Sequence, residues 1–324
     1  MRILFVADPI DGFKTSKDST YAMMVAAAGR GHSLAFCELP ALWLGEGHAW
    51  ADSAPLELRG PALGQQGHDP QGWWRLGEAR TERLSAFDAV LMRKDPPFDL
   101  EYVYATYLLE HAVREGARVF NHPRAVRDHS EKYAIAEFPA LTASTIVTRD
   151  PARLREFVRR HGEAVLKLLD GMGGASIFRA RHDDPNLSVI IETLNQFGAR
   201  SVMAQRYLPA IAEGDKRVLL IGGQVVPFAL ARIPKLGESR GNLAAGGTGR
   251  AQPLSMRDRE IAESLAPVLH ARGLFLVGLD VIGDCLTEIN VTSPTCFREI
   301  MDQTGFDVAG LFVRQLEAAV APAG

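Results

Sequence analysis

Glu288 and Asn290 stand two residues apart in the run LTEINV, whose alternation is that of a β-strand, so both side chains leave the same face. A carboxylate and an amide oxygen placed this way suit a hard cation. Mg²⁺ takes a few oxygen ligands at fixed distances and completes its shell with water and substrate phosphates, so a sparse protein set suffices. Asp280, on the preceding apolar run, is a candidate third ligand, and strand register decides whether it can serve. A two-residue turn at Gly283 and Asp284 would put Asp280 and Glu288 on opposite faces, whereas a three-residue connection, Gly283 to Cys285, would set them directly opposite each other. The metal reading therefore predicts the longer turn or a bulge. Taken alone, Glu-x-Asn also fits a solvent-facing edge strand.

The glycine-rich string Asp170-Gly171-Met172-Gly173-Gly174 is a second chemical signal. Glycines let backbone N–H groups approach phosphate oxygens, but no Gly-Lys-Ser/Thr follows, so this is not a P-loop, and a tight hairpin turn explains the string equally well. Lys167 adds weight, because it is centred in an apolar strand where its charge is costly to bury unless it meets an anion. Snorkelling to solvent is the ordinary alternative. Lys132, in RDHSEKYAIAEF, is expected in the first turn of a helix capped by Ser130, and is uninformative by itself. Arg217, Arg232, Arg240 and Arg298 recur around a long glycine-rich segment; each alone reads as a surface residue, yet bidentate guanidinium is the natural partner of phosphate and carboxylate.

These residues need elements to hold them. Strands are expected at Arg2 to Ala7, Leu34 to Cys37, Ala89 to Met92 and Val119 to Asn121, with helices from Asp18 or Ser19 to Gly29 or Gly31 and from about Asp99 to Arg114. That alternation predicts a parallel sheet flanked by helices, a Rossmann-like unit. Residues 40 to 85 show no clear organisation. From about residue 122 short strands and glycine turns dominate: Glu163 to Leu169 with Ile177 to Arg181, and Arg217 to Ile221 with Gln224 to Leu230 around Gly222 and Gly223. Pro227 places the last of these at an edge or a bulge. Residues 235 to 250 carry five glycines and no periodicity, the pattern of a lid or binding loop. Ser255 and Asp258 form a capping box for a helix stopped by Gly273, and a hairpin follows from Leu274 to Asn290.

Composition narrows the function classes. The 324 residues predict two or three compact units, and 47% hydrophobic with 23% charged residues fits a globular chain rather than a disordered or fibrous one. A net charge of −3 argues against a nucleic-acid surface. No apolar run near the start is long enough for a signal or a membrane span, and three cysteines without a C-x-x-C pair fit a reducing compartment, so the cytoplasm is expected. No G-x-G-x-x-G follows the first strand, which disfavours a nicotinamide enzyme.

The strings LMRKDPPFD, LDGMGGASIFR, YLPAI, GDKRVL, LARIP, ESRGNLAAGG and GLDVIGDCLTEINVTSPT resemble bacterial glutathione synthetase, an ATP-grasp ligase, and the similarity runs from Asp8 to beyond Arg298. The resemblance implies an α/β ATP-grasp fold with an N-terminal Rossmann-like domain at 1–121, a small central lid domain at 122–203 and a C-terminal α+β domain at 204–324. It implies ligation of γ-glutamylcysteine and glycine with ATP, Mg²⁺ or Mn²⁺ as the metal, and a homo-oligomer, tetramer or dimer. By the same resemblance Lys132 and Lys167 would reach ATP phosphates under the loop of Gly171, Gly173 and Gly174. Gln205, Arg206, Tyr207 and Leu208 would read adenine, with Asp215 near the ribose. Asp280, Glu288 and Asn290 would hold the metal, and Arg217 and Arg232 would face the transferring phosphoryl group and the reacting carboxylate. Arg240 and Asn242 would form the active tip of the 235–250 lid, and Ser293, Thr295 and Arg298 would place the peptide or glycine. Two departures stand out: Leu168 sits where the family usually shows a proline, and residues 40 to 85 match poorly.

Overall fold

Ile3, Leu4, Phe5 and Val6 are wholly buried, and their strand β1 (Arg2–Ala7) is the axis of the first sheet. The computed structural model describes residues 1–59 and 72–321, except 236, 238–240, 242, 244 and 245. After β1 come α1 (Ser19–Gly29), β2 (Ser33–Glu38), β3 (Leu42–Gly45), β4 (His48–Leu58), β5 (Trp74–Leu76), β6 (Arg80–Arg83), β7 (Ala89–Met92), α2 (Leu100–Arg114) and β8 (Val119–Phe120). The strand order is β3-β4-β2-β1-β7-β8, with β5 and β6 paired to β4. Asp18 and Asp99 cap the two helices by accepting from Tyr21 N and Tyr102 N, as their positions ahead of apolar-periodic runs predict. The expected parallel sheet is confined to β2, β1, β7 and β8, because β4 runs antiparallel to β2 and carries β3, β5 and β6 with it. The stretch without sequence organisation is thus a meander in which three alternate buried positions of β4, Ala49, Ala51 and Ser53, are too small to declare a strand.

Next follow α3 (Pro123–Asp128), a 3₁₀ turn at Tyr133–Glu137, β9 (Thr145–Thr148), α4 (Pro151–His161), β10 (Glu163–Leu168), β11 (Ile177–Arg181), α5 (Leu187–Asn195) and β12 (Val202–Arg206). The strands form an antiparallel sheet in the order β11-β10-β12-β9. Ala164, Leu166, Val202 and Ala204 pack with Leu154, Val158, Ile191 and Leu194 of α4 and α5. The period of two then turns Val165, Lys167 and Gln205 to the other face. Lys132 does not sit in a capped α-helix: it precedes the 3₁₀ turn, and Ser130 contributes its carbonyl to Ala134 N at 2.8 Å rather than a capping hydroxyl. Pro139 disfavours helical backbone at Phe138 and keeps the turn short.

The third sheet comprises β13 (Asp215–Ile221), β14 (Gln224–Ile233), β15 (Thr248–Pro253), β16 (Leu276–Ile282) and β17 (Cys285–Asn290), in the order β15-β14-β13-β16-β17, with α6 (Met256–Ala271), α7 (Phe297–Thr304) and α8 (Val308–Val320) around it. Gly222 and Gly223 take φ of 57° and 79°, the two positive values a tight β13–β14 hairpin demands. The register of that pair shifts between Val218 and Leu220, so Pro227 lies beside a bulge, one of its two expected places. Ser255 and Asp258 do form the capping box, and Asp258 also takes Lys216. One face of the sheet packs on Ile261, Leu265 and Leu269 of α6. Leu219, Ile221 and Leu230 on the other face share a core with Phe312 and Leu316 of α8 and with Ile3 and Phe5 of the first sheet. Asn121 fastens this junction. Its amide donates to the carbonyls of Leu276 and Val291 at 2.8 and 2.7 Å and accepts from Leu276 N at 2.7 Å.

His129 is buried in the segment between α3 and the 3₁₀ turn, and its Nε2 finds no partner among the described residues. Burial, with Arg272 nearby, lowers its pKa to about 4. The folded chain therefore keeps this ring neutral while the unfolded chain takes up a proton near pH 6.5, so stability is retained above that pH and falls as pH drops toward 4, by about 3 kcal/mol in all. Denaturant titrations from pH 7.5 to 4 should show that His129→Leu loses less stability than the wild type over this range, by about that amount.

Candidate active site

The β16–β17 hairpin takes the bulge. Its turn has two residues, with Ile282 opposite Cys285 and Val281 opposite Leu286, but the register then shifts so that Asp280 faces Glu288. Thr287 is the extra residue, and its hydroxyl donates to the Asp280 carbonyl at 3.1 Å. One inserted residue thus returns Glu288 to the face of Asp280, while Asn290 sits opposite Gly278 and donates its amide to that carbonyl at 3.0 Å. Its amide oxygen accepts from no described residue.

Pairing with β13 sets Arg217 opposite Asp280, and pairing of β13 with β14 sets Arg232 opposite Asp215. Arg217 Nε donates to Asp280 Oδ1 at 2.6 Å, and Arg232 bridges Asp215 Oδ2 at 2.6 Å and Asp280 Oδ2 at 2.9 Å. The four side chains are almost entirely buried. Burial by itself would raise the pKa of Asp280, but the two guanidiniums outweigh it and hold the carboxyl well below its ordinary value. Asp215 is pushed up, by burial first and by repulsion from Asp280, against the pull of Arg232. Its Oδ1 is buried with no partner among the described residues.

Opposite this charged floor stands the second sheet, and between them lies a cavity of about 360 Å³. Lys132 Nζ reaches Glu288 Oε1 at 3.0 Å and also donates to the Gly171 carbonyl. Lys167 is buried, and among the described residues its ammonium has only the Gln205 side-chain oxygen and the Thr287 carbonyl, each at 3.4 Å. Burial lowers its pKa, and the neighbouring carboxylate of Glu288 offsets part of that. Gly171, Gly173 and Gly174 line the cavity, as do Gln205, Arg206, Tyr207 and Leu208, and the Leu208 amide donates to no described residue. Ser293 and Thr295 line it too. Arg298 is not among the residues that line it: it is buried, 3.7 Å from Asp302, and its Nε has no partner among the described residues. Arg240 and Asn242 lie outside the described residues, although their neighbours Gly241 and Leu243 line the cavity. Sequence reasoning missed Glu131 and Thr292, which also line it and bond to each other. Nothing in their types or spacing marks them.

The donor set fits a hard divalent cation. Asp280, Glu288 and Asn290 bring two carboxylates and an amide oxygen to one cavity, leaving the remaining positions to phosphate oxygens and water, the arrangement Mg²⁺ favours.

Family models for the prokaryotic glutathione synthetase N-terminal domain and ATP-grasp domain match residues 1–127 and 131–305. The chain belongs to the prokaryotic glutathione synthetase family. It is 60% identical to glutathione synthetase from Ralstonia nicotianae, covering 100% of this chain and 97% of that one. With the Nitrosomonas europaea glutathione synthetase it shares 56% identity over 99% of each chain, and with the Vibrio parahaemolyticus one 50%, again over 99% of each. Among solved structures, D-cycloserine synthetase DcsG superposes with a TM-score of 0.66 at 15% identity, covering 98% of this chain and 100% of that one. ATP-grasp ligase PsnB with a minimal precursor gives 0.65 at 18%, covering 98% and 99%. The fold is ATP-grasp, and as a glutathione synthetase the protein is an ATP-dependent ligase that acts on small molecules and uses a divalent metal.

Because Asp280 has a depressed pKa, its stabilising contribution is present above the unfolded value of about 3.9 and is lost only as pH falls below it. Asp280→Asn leaves two buried guanidiniums short of a counterion and should cost about 3 kcal/mol at neutral pH. In denaturant titrations the gap to wild type should persist across the neutral range and close only below about pH 4.

Proposed function

We propose that the cavity joins γ-glutamylcysteine to glycine in two steps. The cysteinyl carboxylate attacks the γ-phosphorus of ATP, releasing ADP and forming an acyl phosphate; the glycine amine then displaces phosphate and loses a proton. The observation that carries this reading is Lys167, an ammonium buried at the cavity wall without a carboxylate of its own. Such a charge calls for an anion, and a nucleotide phosphate supplies one.

In this assignment Lys132 and Lys167 take phosphate oxygens, the Gly171–Gly174 loop closes over them, and the Leu208 amide and the neighbouring linker backbone read the adenine. Asp215, with its free oxygen, meets the ribose. Asp280, Glu288 and Asn290 hold Mg²⁺, with Mn²⁺ as a substitute; when bound, the ion neutralises phosphate charge and aligns the transferring group. Asp280 then shares its oxygens, which frees Arg217 and Arg232 to face the phosphoryl group and the carboxylate. The 235–250 segment, with Arg240 and Asn242, excludes water from the acyl phosphate. Ser293 and Thr295 face the peptide, and Arg298 supports their loop from behind.

The γ-glutamyl end is assigned to a second crevice of about 230 Å³, where Asp8, Asp18, Thr20, Arg93 and Asp95 meet at the carboxyl ends of β1 and β7. It adjoins the main cavity at Asp95, and its carboxylates and guanidinium suit an amino-acid head with both charges. Three sheets support three units, at 1–121, 122–203 and 204–324. Homo-oligomerisation in the cytoplasm is also proposed, consistent with exposed Trp43, Leu44, Tyr104 and Tyr107.

Phosphate release should require ATP, Mg²⁺, γ-glutamylcysteine and glycine together, with glutathione identified by mass; nucleotide binding without turnover of that pair would refute the reading. Lys167→Met should lower kcat/KM for ATP about 100-fold while leaving stability unchanged or raised by about 1 kcal/mol, since a buried unpaired charge is removed. Asp18→Asn keeps the α1 cap but not the charge, so KM for the dipeptide should rise at least about tenfold with the folding midpoint retained. An unchanged KM would move the γ-glutamyl end elsewhere.

A further inference from the structure

Glu131 precedes Lys132 and grips the strand that carries the metal ligands. Its carbonyl accepts from Ile289 N at 2.9 Å. One carboxylate oxygen, Oε1, accepts from Val291 N at 2.8 Å, from Thr292 N at 3.0 Å and from the Thr292 hydroxyl at 2.9 Å. Lys132, the next residue, takes Glu288. Two consecutive residues therefore hold positions 288, 289, 291 and 292, and leave Asn290 between them.

Position 291 is where the chain leaves β17 and turns from the metal-bearing strand into the loop containing Ser293 and Thr295. Two successive amides directed at a single oxygen fix the course of that turn. Asn121 holds the same turn from the other side, through the Val291 carbonyl. A residue that served the fold alone would not need to lie on the cavity wall; Glu131 lines it, with its second oxygen unbonded to any described residue.

We propose that Glu131 is a positioning residue for ligation: by fixing the turn at Val291 and Thr292 it sets the spacing between the metal ligands and the peptide-facing loop. The carboxylate to be phosphorylated then stands in line with the γ-phosphate. This role rests on the ligase reading, which names the reactants. It differs from nucleotide binding, which falls to the lysines, the glycine loop and the linker.

The test compares wild type, Glu131→Ala and Glu131→Gln as full-length chains. Four quantities are measured: affinity for a non-hydrolysable ATP analogue with Mg²⁺, kcat, dipeptide KM, and phosphate released per glutathione formed. Glu131→Ala should bind the nucleotide within about threefold of wild type yet lose about 100-fold in kcat, the scale of a small misplacement of reacting groups. Phosphate per glutathione should rise above its wild-type value as water competes for a badly placed acyl phosphate. Glu131→Gln keeps the length and an acceptor oxygen, and should recover to within about tenfold of wild type. The proposal is overturned if alanine keeps kcat within threefold, if its loss equals the unfolded fraction seen by circular dichroism at the assay temperature, if nucleotide affinity falls in parallel with kcat, or if glutamine is as slow as alanine. Wild type run alongside separates the two ideas: no glutathione from wild type removes the ligase reading and this role with it, whereas an active wild type with an indifferent alanine variant removes only the role of Glu131.

Discussion

A site for a polyanion has to fold before the polyanion arrives, and that constraint organises the cavity. Arg217, Arg232, Lys132 and Lys167 are all buried, and a buried charge without a partner is too costly to keep. Asp280 and Asp215 neutralise the two arginines, and Glu288 with the Gly171 carbonyl takes Lys132. Among the described residues Lys167 has only neutral oxygens, at 3.4 Å. The carboxylates that balance the cations are the same ones whose oxygens suit a divalent metal. On the proposed assignment one set of residues would serve two charge states: cations paired with carboxylates when empty, and cations on phosphate with carboxylates on metal when filled. Asp280 is suited to both because its depressed pKa keeps it ionised throughout the neutral range.

Strand pairing converts this electrostatic requirement into geometry. Asp280 meets Arg217 because β16 pairs with β13 at that rung, and Asp215 meets Arg232 because β13 pairs with β14. Glu288 joins them only through the extra residue Thr287, without which the period of two would turn it away. The same bulge directs the Thr287 carbonyl at Lys167. A single insertion thus places a metal-candidate carboxylate and gives the buried lysine of the opposite wall one of its two partners. Residues of this kind are functional through backbone position, and their side-chain type says little about them.

This explains what could be read from the sequence and what could not. Helix caps at Asp18, Asp99 and Ser255, the Gly222–Gly223 hairpin and the apolar strand β1 rest on local chemistry, and local chemistry is written in neighbouring residues. The need for a longer turn or a bulge near Glu288 was legible, because two faces of a strand leave few options; which of the two was not, because Thr287 looks like any strand residue. The antiparallel meander of β3 to β6 stayed hidden behind the alanines of β4 and the three or four residues of β3, β5 and β6. Glu131 was invisible for a different reason: its partners lie about 160 residues away in the chain, at 291 and 292. Arg298 shows the converse. By itself it read as a surface residue, and the resemblance gave it a place at the substrate, but the fold buries it outside the set of residues that line the cavity.

The two walls of the cavity belong to different sheets with largely separate cores, one under α4 and α5 and the other over α6. Across the gap, Lys132 reaches from the segment beside β17 to the Gly171 carbonyl, and Lys167 reaches from β10 to the Thr287 carbonyl. Both bonds are made by ammonium groups to neutral oxygens, and phosphate would outbid neither group's need for charge but exceed both carbonyls as an acceptor. On the proposed reading a nucleotide entering here would take over these two bonds and supply stronger ones. On the same reading the glycine-rich turn of the second sheet would be drawn toward the third by the substrate, which would link closure of the site to the presence of the molecule to be enclosed.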